Sequence, residues 1–161
     1  MRILMIILLF CYYEAFVKVC AEESETINPF GNFILKKTEN LSEFAEKVFR
    51  PEAKEVIKLM KPGISFLNFQ ADQDVMTLTY SVGDKNITNS FQLDKKFQEE
   101  TYFSPAETIV HKDNEGHYTW ESTLSTGRLL TREEVFTNEG VTVIQTSPIV
   151  DFASTLYYER V

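Results

Sequence analysis

The sequence predicts an all-β protein, a ten-stranded antiparallel up-and-down barrel with two short helices between its first and second strands. Segments typical of strands recur about every ten residues from Ile64 to the end of the chain. Turn-forming residues stand at each break between them. Only residues 40–61 show helical periodicity. Because ten strands would otherwise expose sheet edges, closure into a barrel is the favoured architecture.

The first elements are one strand and the two helices. Phe30–Lys37 is predicted to be a strand because Phe33 and Leu35 alternate with their neighbours. Asn40 followed by Glu43 predicts a capping box at the start of the first helix. Its apolar stripe is Leu41, Phe44, Ala45, Val48 and Phe49. A second stripe follows Pro51 and ends before Lys61-Pro62-Gly63; it consists of Ala53, Val56, Ile57 and Met60.

Nine strands are predicted to follow the helices. Their ranges are Ile64–Gln70, Val75–Val82, Ile87–Leu93, Phe97–Phe103, Glu107–Lys112, His117–Leu124, Arg128–Phe136, Val141–Thr146 and Asp151–Arg160. In the Arg128–Phe136 strand, Leu130, Arg132, Glu134 and Phe136 share one face. Leu129, Thr131, Glu133 and Val135 share the other face. Neither face is purely apolar, which is typical of a barrel with a partly polar cavity for one amphipathic ligand. The alternative is a small barrel whose core is filled.

Residues 1–21 are predicted to be a secretory signal peptide, which leaves a β-barrel domain over residues 22–161. Arg2 precedes an apolar run from Ile3 to Tyr13, and Val19-Cys20-Ala21 resembles a cleavage site. The alternative is an anchoring helix, but the apolar run of about 11 residues is shorter than the roughly 20 needed to span a bilayer. We therefore expect a secreted, extracellular protein. Its mature domain has no cysteine, since Cys11 and Cys20 are the only two in the chain.

Charge and motifs exclude several classes of function. A net charge of −8 argues against nucleic-acid binding, even though two short helices in succession have the outline of a helix-turn-helix. The sequence contains none of the common nucleophile, zinc-protease or phosphate-loop motifs, so we expect no enzyme and no cofactor. His111 and His117 flank a turn, but two ligands without a third predict no metal site.

Two sequons become relevant if the protein is exported. Asn86-Ile87-Thr88 follows a predicted turn, and Asn40-Leu41-Ser42 coincides with the predicted helix cap. Asn86 is therefore the better candidate for glycosylation, and Asn40 is the second.

The order of elements resembles the fatty-acid-binding protein family, and the resemblance spans Asn28 to Val161. It is carried by four segments: Gly31–Leu35 with Asn40–Phe44, Phe91–Thr101, Arg132-Glu133, and Ser154–Arg160. Four positions depart from the usual pattern, namely Leu41, Ser42, Asp94 and Leu156. A member with a signal peptide is similar to the secreted branch known from nematodes. Lipocalins are the nearest competitor, but their Gly-x-Trp motif and disulfides are missing from the mature chain.

The resemblance implies a function and a binding site. The helices would form a lid over the barrel, and the protein would carry a long-chain fatty acid or a similar anionic lipid for transport or sequestration. Arg132 and Tyr158 would bind the headgroup, whereas Leu156 replaces a second arginine common in the family. We expect a monomer. Lys54, Lys58 and Lys61 form a basic stripe through which the lid could contact membranes transiently, and the alternative is an ordinary solvated helix face. The alternative is a secreted, non-enzymatic interaction protein with a filled barrel core.

Overall fold

The computed structural model describes residues 27–102 and 104–161. The predicted signal peptide lies outside these residues. The ten strands are β1 (Gly31–Glu39), β2 (Ser65–Asp72), β3 (Val75–Val82), β4 (Lys85–Phe91), β5 (Phe97–Glu99), β6 (Ala106–Lys112), β7 (Tyr118–Leu124), β8 (Leu129–Phe136), β9 (Gly140–Thr146) and β10 (Ser154–Arg160). The two helices are α1 (Leu41–Val48) and α2 (Ala53–Leu59). Neither helix in the described ranges combines the length and apolarity needed to cross a membrane.

The strands form one antiparallel sheet that curls into a nearly closed barrel. Its order is β4-β3-β2-β1-β10-β9-β8-β7-β6-β5, so the first strand pairs with the last and β4 and β5 form the two edges. Side chains alternate strictly in β8, where every second residue from Leu130 to Phe136 is buried. This period of two places one face of each strand in the barrel interior. The predicted fold is confirmed.

Two local predictions are wrong. The capping box at Asn40 does not form, because Asn40 adopts a left-handed conformation (φ 56°) and its side chain makes no cap hydrogen bond. Its amide instead donates to the Ala153 carbonyl at 3.1 Å, which ties the start of α1 to the segment before β10.

The second correction concerns β5, which ends at Glu99 instead of Phe103. After Glu99 the backbone N–H of Glu100 donates to the side chain of Asn89 at 2.7 Å. The chain then enters a turn in which the Thr101 hydroxyl donates to the Ser104 carbonyl at 2.7 Å. Side-chain bonds thus replace the backbone ladder at this edge, which the alternation of residues cannot reveal.

An aromatic cluster fills part of the barrel. Phe69 stands 5.2 Å from Tyr118 and 5.6 Å from Phe136 between ring centroids, and Phe91 stands 4.7 Å from Trp120. Trp120 has no exposed surface and lies wholly within this cluster. None of these side chains lines the cavity that lies under the helices. The interior is therefore divided into a packed aromatic part and a part that holds the cavity.

Candidate functional site

A cavity of about 90 Å³ lies between the two helices and the inner wall of the barrel. Its apolar lining includes Val48 and Val56 from the helices and Leu156 from β10. Its polar lining includes Tyr80, Glu99, Arg132, Gln145 and Tyr158. This volume holds several water molecules but is below the roughly 300 Å³ at which ligand pockets usually begin. A lipid chain would need the surrounding elements to move apart.

Arg132, predicted to lie in the lumen, does so and already has an anionic partner. Its Nη2 donates to Glu99 Oε1 at 2.6 Å, and its Nη1 donates to the Tyr80 hydroxyl at 3.0 Å. The guanidinium also lies 4.6 Å from the centre of the Trp120 ring system. Although burial alone would lower the pKa of Arg132, the Glu99 carboxylate and Tyr80 raise it above its ordinary value. Arg132 is therefore permanently charged and neutralised within the fold.

Glu99 is a site residue that the sequence analysis did not identify. Its Oε2 accepts a hydrogen bond from the Thr108 hydroxyl at 2.8 Å and lies 3.3 Å from the Ser122 hydroxyl. Only 2% of its surface is exposed. The residue follows the alternation of Phe97–Glu99, so the pattern places it inward once the strand is recognised. Nothing in the sequence pairs it with Arg132, which is 33 positions away.

Glu134 is a second buried carboxyl group in the interior. It has no exposed surface, and neither of its oxygens makes a hydrogen bond of good geometry within the described residues. Burial raises the pKa of Glu134 to about 7, although the Arg132 charge and the Trp120 indole offset part of this effect. The carboxyl therefore changes between its neutral and charged forms near neutral pH.

Tyr158, the other predicted ligand-binding residue, lines the same cavity as Arg132. Its hydroxyl lies 4.0 Å from the Met60 sulfur at the end of α2, and only 5% of the residue is exposed. Burial raises the pKa of Tyr158 to about 12, so it remains a neutral donor. The neighbouring Leu156 is also buried and supplies no polar group. The structure thus brings Arg132 and Tyr158 to one site, while their contact with a headgroup remains a prediction.

The histidines belong to the barrel exterior. His111 Nδ1 lies 2.6 Å from Asp94, and His117 lies 3.4 Å from Asp113, so the two rings have different partners. Asp113, Glu115 and His117 place one potential metal-binding atom each within 4.8 Å of one another. The backbone N–H groups of Glu115 and His117 already donate to Asp113 Oδ1, at 2.8 and 2.9 Å. Turn geometry alone therefore accounts for this exposed cluster.

The remaining predicted sites lie on the surface. Asn86 is exposed at the start of β4, beside the turn at Gly83, whereas the amide of the exposed Asn40 is engaged by Ala153. The lysines at 54, 58 and 61 are exposed on and after α2, and Lys58 lies 4.0 Å from Glu55. Glycosylation and membrane contact both stay predictions.

The fold is that of fatty-acid-binding proteins. The chain superposes on a fatty-acid-binding protein of Schistosoma mansoni in complex with arachidonic acid with a TM-score of 0.71 and 18% identity, over 83% of this chain and 96% of the other. The fatty-acid-binding protein isolated from Manduca sexta gives a TM-score of 0.71 and 19% identity, over 82% and 99%.

A third similar structure is secretory abundant heat soluble protein 4 of Ramazzottius varieornatus. It matches with a TM-score of 0.70 and 14% identity, over 86% of this chain and 99% of that protein. No protein-family profile and no curated protein matches the sequence. At these identities the likeness extends to the fold, and the residues of this chain must carry any statement about its ligand.

Proposed function

We propose that this chain, which has the fold of fatty-acid-binding proteins, is an exported carrier of one lipid molecule with a long hydrocarbon chain. The observation that carries the proposal is the cavity under α1 and α2, where apolar side chains surround a buried polar group centred on Arg132. Such a site buries a hydrocarbon chain against apolar walls and orients its polar end by hydrogen bonds. Structurally similar proteins are named for fatty-acid binding or transport.

The hydrocarbon chain would supply most of the affinity, at about 0.8 kcal/mol per buried methylene before association costs. A long chain exceeds the present cavity volume of about 90 Å³. Two features provide room for it. The helices pack on the barrel end through a small cluster around Phe44, Val48 and Leu130, and the sheet has no backbone pairing between β4 and β5. Binding is expected to displace one or both.

Native mass spectrometry of the protein purified from its source tests the carrier function. A carrier should show a mass excess equal to one lipid, which is lost on denaturation and identified by extraction. A bare polypeptide mass, together with failure to bind any long-chain acid, alcohol or ester added in excess, would contradict the proposal.

A second candidate function is an exported interaction protein with a filled barrel. The small cavity and the packed aromatic cluster favour it. The same native mass spectrum separates the candidates, since a filled barrel carries no lipid and cannot be loaded with one. Both candidates are non-enzymatic.

Export is part of the proposal and has its own test. The apolar run and the small residues before Glu22 support cleavage after Ala21. A solved protein of similar fold is also named as secretory. N-terminal sequencing of protein from the extracellular fluid should begin at Glu22, whereas an intact Met1 on protein confined to the cytosol would exclude export.

Transient membrane contact through the helices is the last part of the proposal. Lys54, Lys58 and Lys61 are exposed, and such a basic stripe attracts anionic lipid surfaces. Transfer of a bound fluorescent lipid to vesicles should accelerate with their content of anionic lipid. Replacing the three lysines by glutamine should abolish that dependence, while the equivalent change at Lys85, Lys95 and Lys112 on other surfaces should not.

A further inference from the structure

We infer that the lipid bound in this cavity has an uncharged hydroxyl headgroup, as in a long-chain alcohol, and that the site discriminates against a carboxylate. This inference rests on the proposed carrier function and specifies its ligand class. Three features of the interior support it: the balance of charges, the partners of Arg132, and two atoms of paired cavity-lining residues that lack hydrogen-bond partners.

Buried carboxyl groups outnumber buried cations in the described part of the chain. The buried charged side chains within the described residues are Glu99, Arg132 and Glu134. One cation thus faces two carboxyl groups, and the pair formed with Glu99 leaves the Arg132 charge compensated. A ligand carboxylate would add another anion to this poorly solvated interior, where like charges repel strongly. Leu156 occupies the inner face of β10 between Ser154 and Tyr158 and brings no second cation.

Both terminal nitrogens of Arg132 already have partners within the protein. Nη2 donates to Glu99 and Nη1 donates to Tyr80, so both ends of the guanidinium fork have partners within the protein. Tight binding of a carboxylate by arginine uses two parallel donors of that fork. Two of the five N–H groups of the guanidinium are thus used within the protein, and the inner Nε has no hydrogen-bond partner. Because Glu99 already neutralises the guanidinium, its free N–H groups can bond a neutral oxygen without an uncompensated anion being buried.

The unpartnered acceptor lies on the adjacent strand. Gln145 is the residue directly opposite Arg132 in the β8–β9 pairing, and both side chains line the cavity. Each is 8% exposed, and Gln145 Oε1 has no hydrogen-bond partner. These two directly paired residues thus carry one buried nitrogen without an acceptor and one buried oxygen without a donor. A hydroxyl group accepts from the first and donates to the second, whereas a carboxylate can only accept and would face the lone pairs of Gln145.

Equilibrium dialysis with radiolabelled hexadecan-1-ol and hexadecanoic acid, at neutral pH and on the full secreted chain, tests this inference. The wild-type protein should bind the alcohol at least about tenfold more tightly than the acid. Equal affinities, or tighter binding of the acid, would overturn the inference and leave the carrier function intact. Binding of neither molecule, nor of any other long-chain lipid, would instead overturn the carrier function.

Two variants identify the atoms responsible. Glu99→Gln removes the anion that occupies Arg132 and should raise the ratio of acid to alcohol affinity by about tenfold or more. Glu107→Gln is the matched control, since it removes a carboxylate paired with Lys96 on the outer surface and should leave the ratio unchanged. An unchanged ratio in folded Glu99→Gln would contradict the role given to the ion pair.

The second variant leaves the ion pair in place, and so remains informative if Glu99→Gln does not fold. Gln145→Met removes the free acceptor and preserves the size of the side chain. It should weaken binding of the alcohol severalfold and spare the acid. Equal losses for both ligands would show that Gln145 only shapes the cavity, which would overturn its assignment as the hydroxyl acceptor.

Discussion

At the scale of single residues, Glu134 is an ionisable group that the fold removes completely from water. Its carboxyl group has no exposed surface, and burial raises its pKa to about 7 from the ordinary 4.5. A carboxyl whose pKa is raised on folding stabilises the folded state below its unfolded pKa. That contribution is lost as the pH rises through the folded pKa.

The stability of the protein should therefore fall as the pH rises from about 4.5 to about 7. The difference of pKa corresponds to about 3 kcal/mol of unfolding free energy at most. Glu134→Gln should remove this part of the pH dependence. Urea denaturation at a series of pH values measures it for both proteins.

The control for Glu134 is Glu121→Gln, since Glu121 is exposed on the outer face of β7. This variant should keep the wild-type pH dependence. If Glu134→Gln and the wild type lost stability in parallel between pH 4.5 and 7, Glu134 would not titrate as described.

Gly140 is required for a steric reason at the start of β9. A Cβ atom at this position would overlap the backbone carbonyl oxygen of Tyr158 on the paired strand β10. Gly140→Ala should therefore destabilise the protein by about 2–3 kcal/mol, because backbone atoms of two paired strands must separate. Gly83→Ala is the comparison, since it has positive φ but open space around it, and should cost only about 1 kcal/mol. Urea denaturation would contradict this account if the two variants lost equal stability.

At the scale of elements, side chains hold together the sheet edges that the backbone leaves unpaired. Asn89 of β4 accepts a hydrogen bond from the Glu100 N–H at 2.7 Å and donates to the Glu100 carbonyl at 3.0 Å. The Tyr102 hydroxyl oxygen lies within hydrogen-bond distance of two carbonyl oxygens, 2.9 Å from that of Tyr80 and 3.1 Å from that of Lys85. These contacts connect β3 and β4 to the segment that follows β5.

Asn89→Leu should open this connection without disturbing the rest of the barrel. Loss of the two hydrogen bonds should cost about 2 kcal/mol and accelerate amide exchange at Glu100 by roughly 30-fold. Hydrogen-exchange mass spectrometry or NMR measures the effect. Ser90→Ala, which alters an exposed residue next in the strand, should leave exchange at Glu100 unchanged. Equal protection of Glu100 in both variants would show that the Asn89 bonds do not hold the edges.

At the scale of the whole molecule, one continuous core joins almost every strand. The main cluster of buried residues includes Phe33 of β1, Phe69 of β2, Trp120 of β7 and Tyr158 of β10. The pairing of β1 with β10 links the two ends of the described chain. A barrel built this way is expected to unfold as one cooperative unit.

Trp120 reports on that unit because it is the only tryptophan and is fully buried. The tryptophan fluorescence of the folded protein should have its maximum at short wavelength. On unfolding, the maximum should move to the longer wavelength of a water-exposed indole. The fluorescence and far-ultraviolet circular dichroism transitions should coincide in urea. Emission typical of exposed tryptophan in the folded protein, or two separated transitions, would contradict the structure.

The sequence alone predicts the element order and the barrel, because alternating side chains and turn residues are local patterns. The inward position of Arg132 follows from the resemblance to the fatty-acid-binding protein family, since neither face of β8 is purely apolar. The predictions of a capping box at Asn40 and of a longer β5 were wrong because each region bonds to a residue from another segment. Asn40 bonds to Ala153, and Glu100 bonds to Asn89.

What the interior of the barrel can bind depends on contacts that exist only in the folded protein. The sequence places Arg132 inside but cannot show that Glu99, from a strand that is not its neighbour in the sheet, reaches it at 2.6 Å. It also cannot show that Gln145 stands opposite with a free acceptor. Charges in a buried site interact strongly over the short distances that the folded barrel sets. The preference for a neutral or an anionic ligand therefore depends on how the strands place these side chains relative to one another.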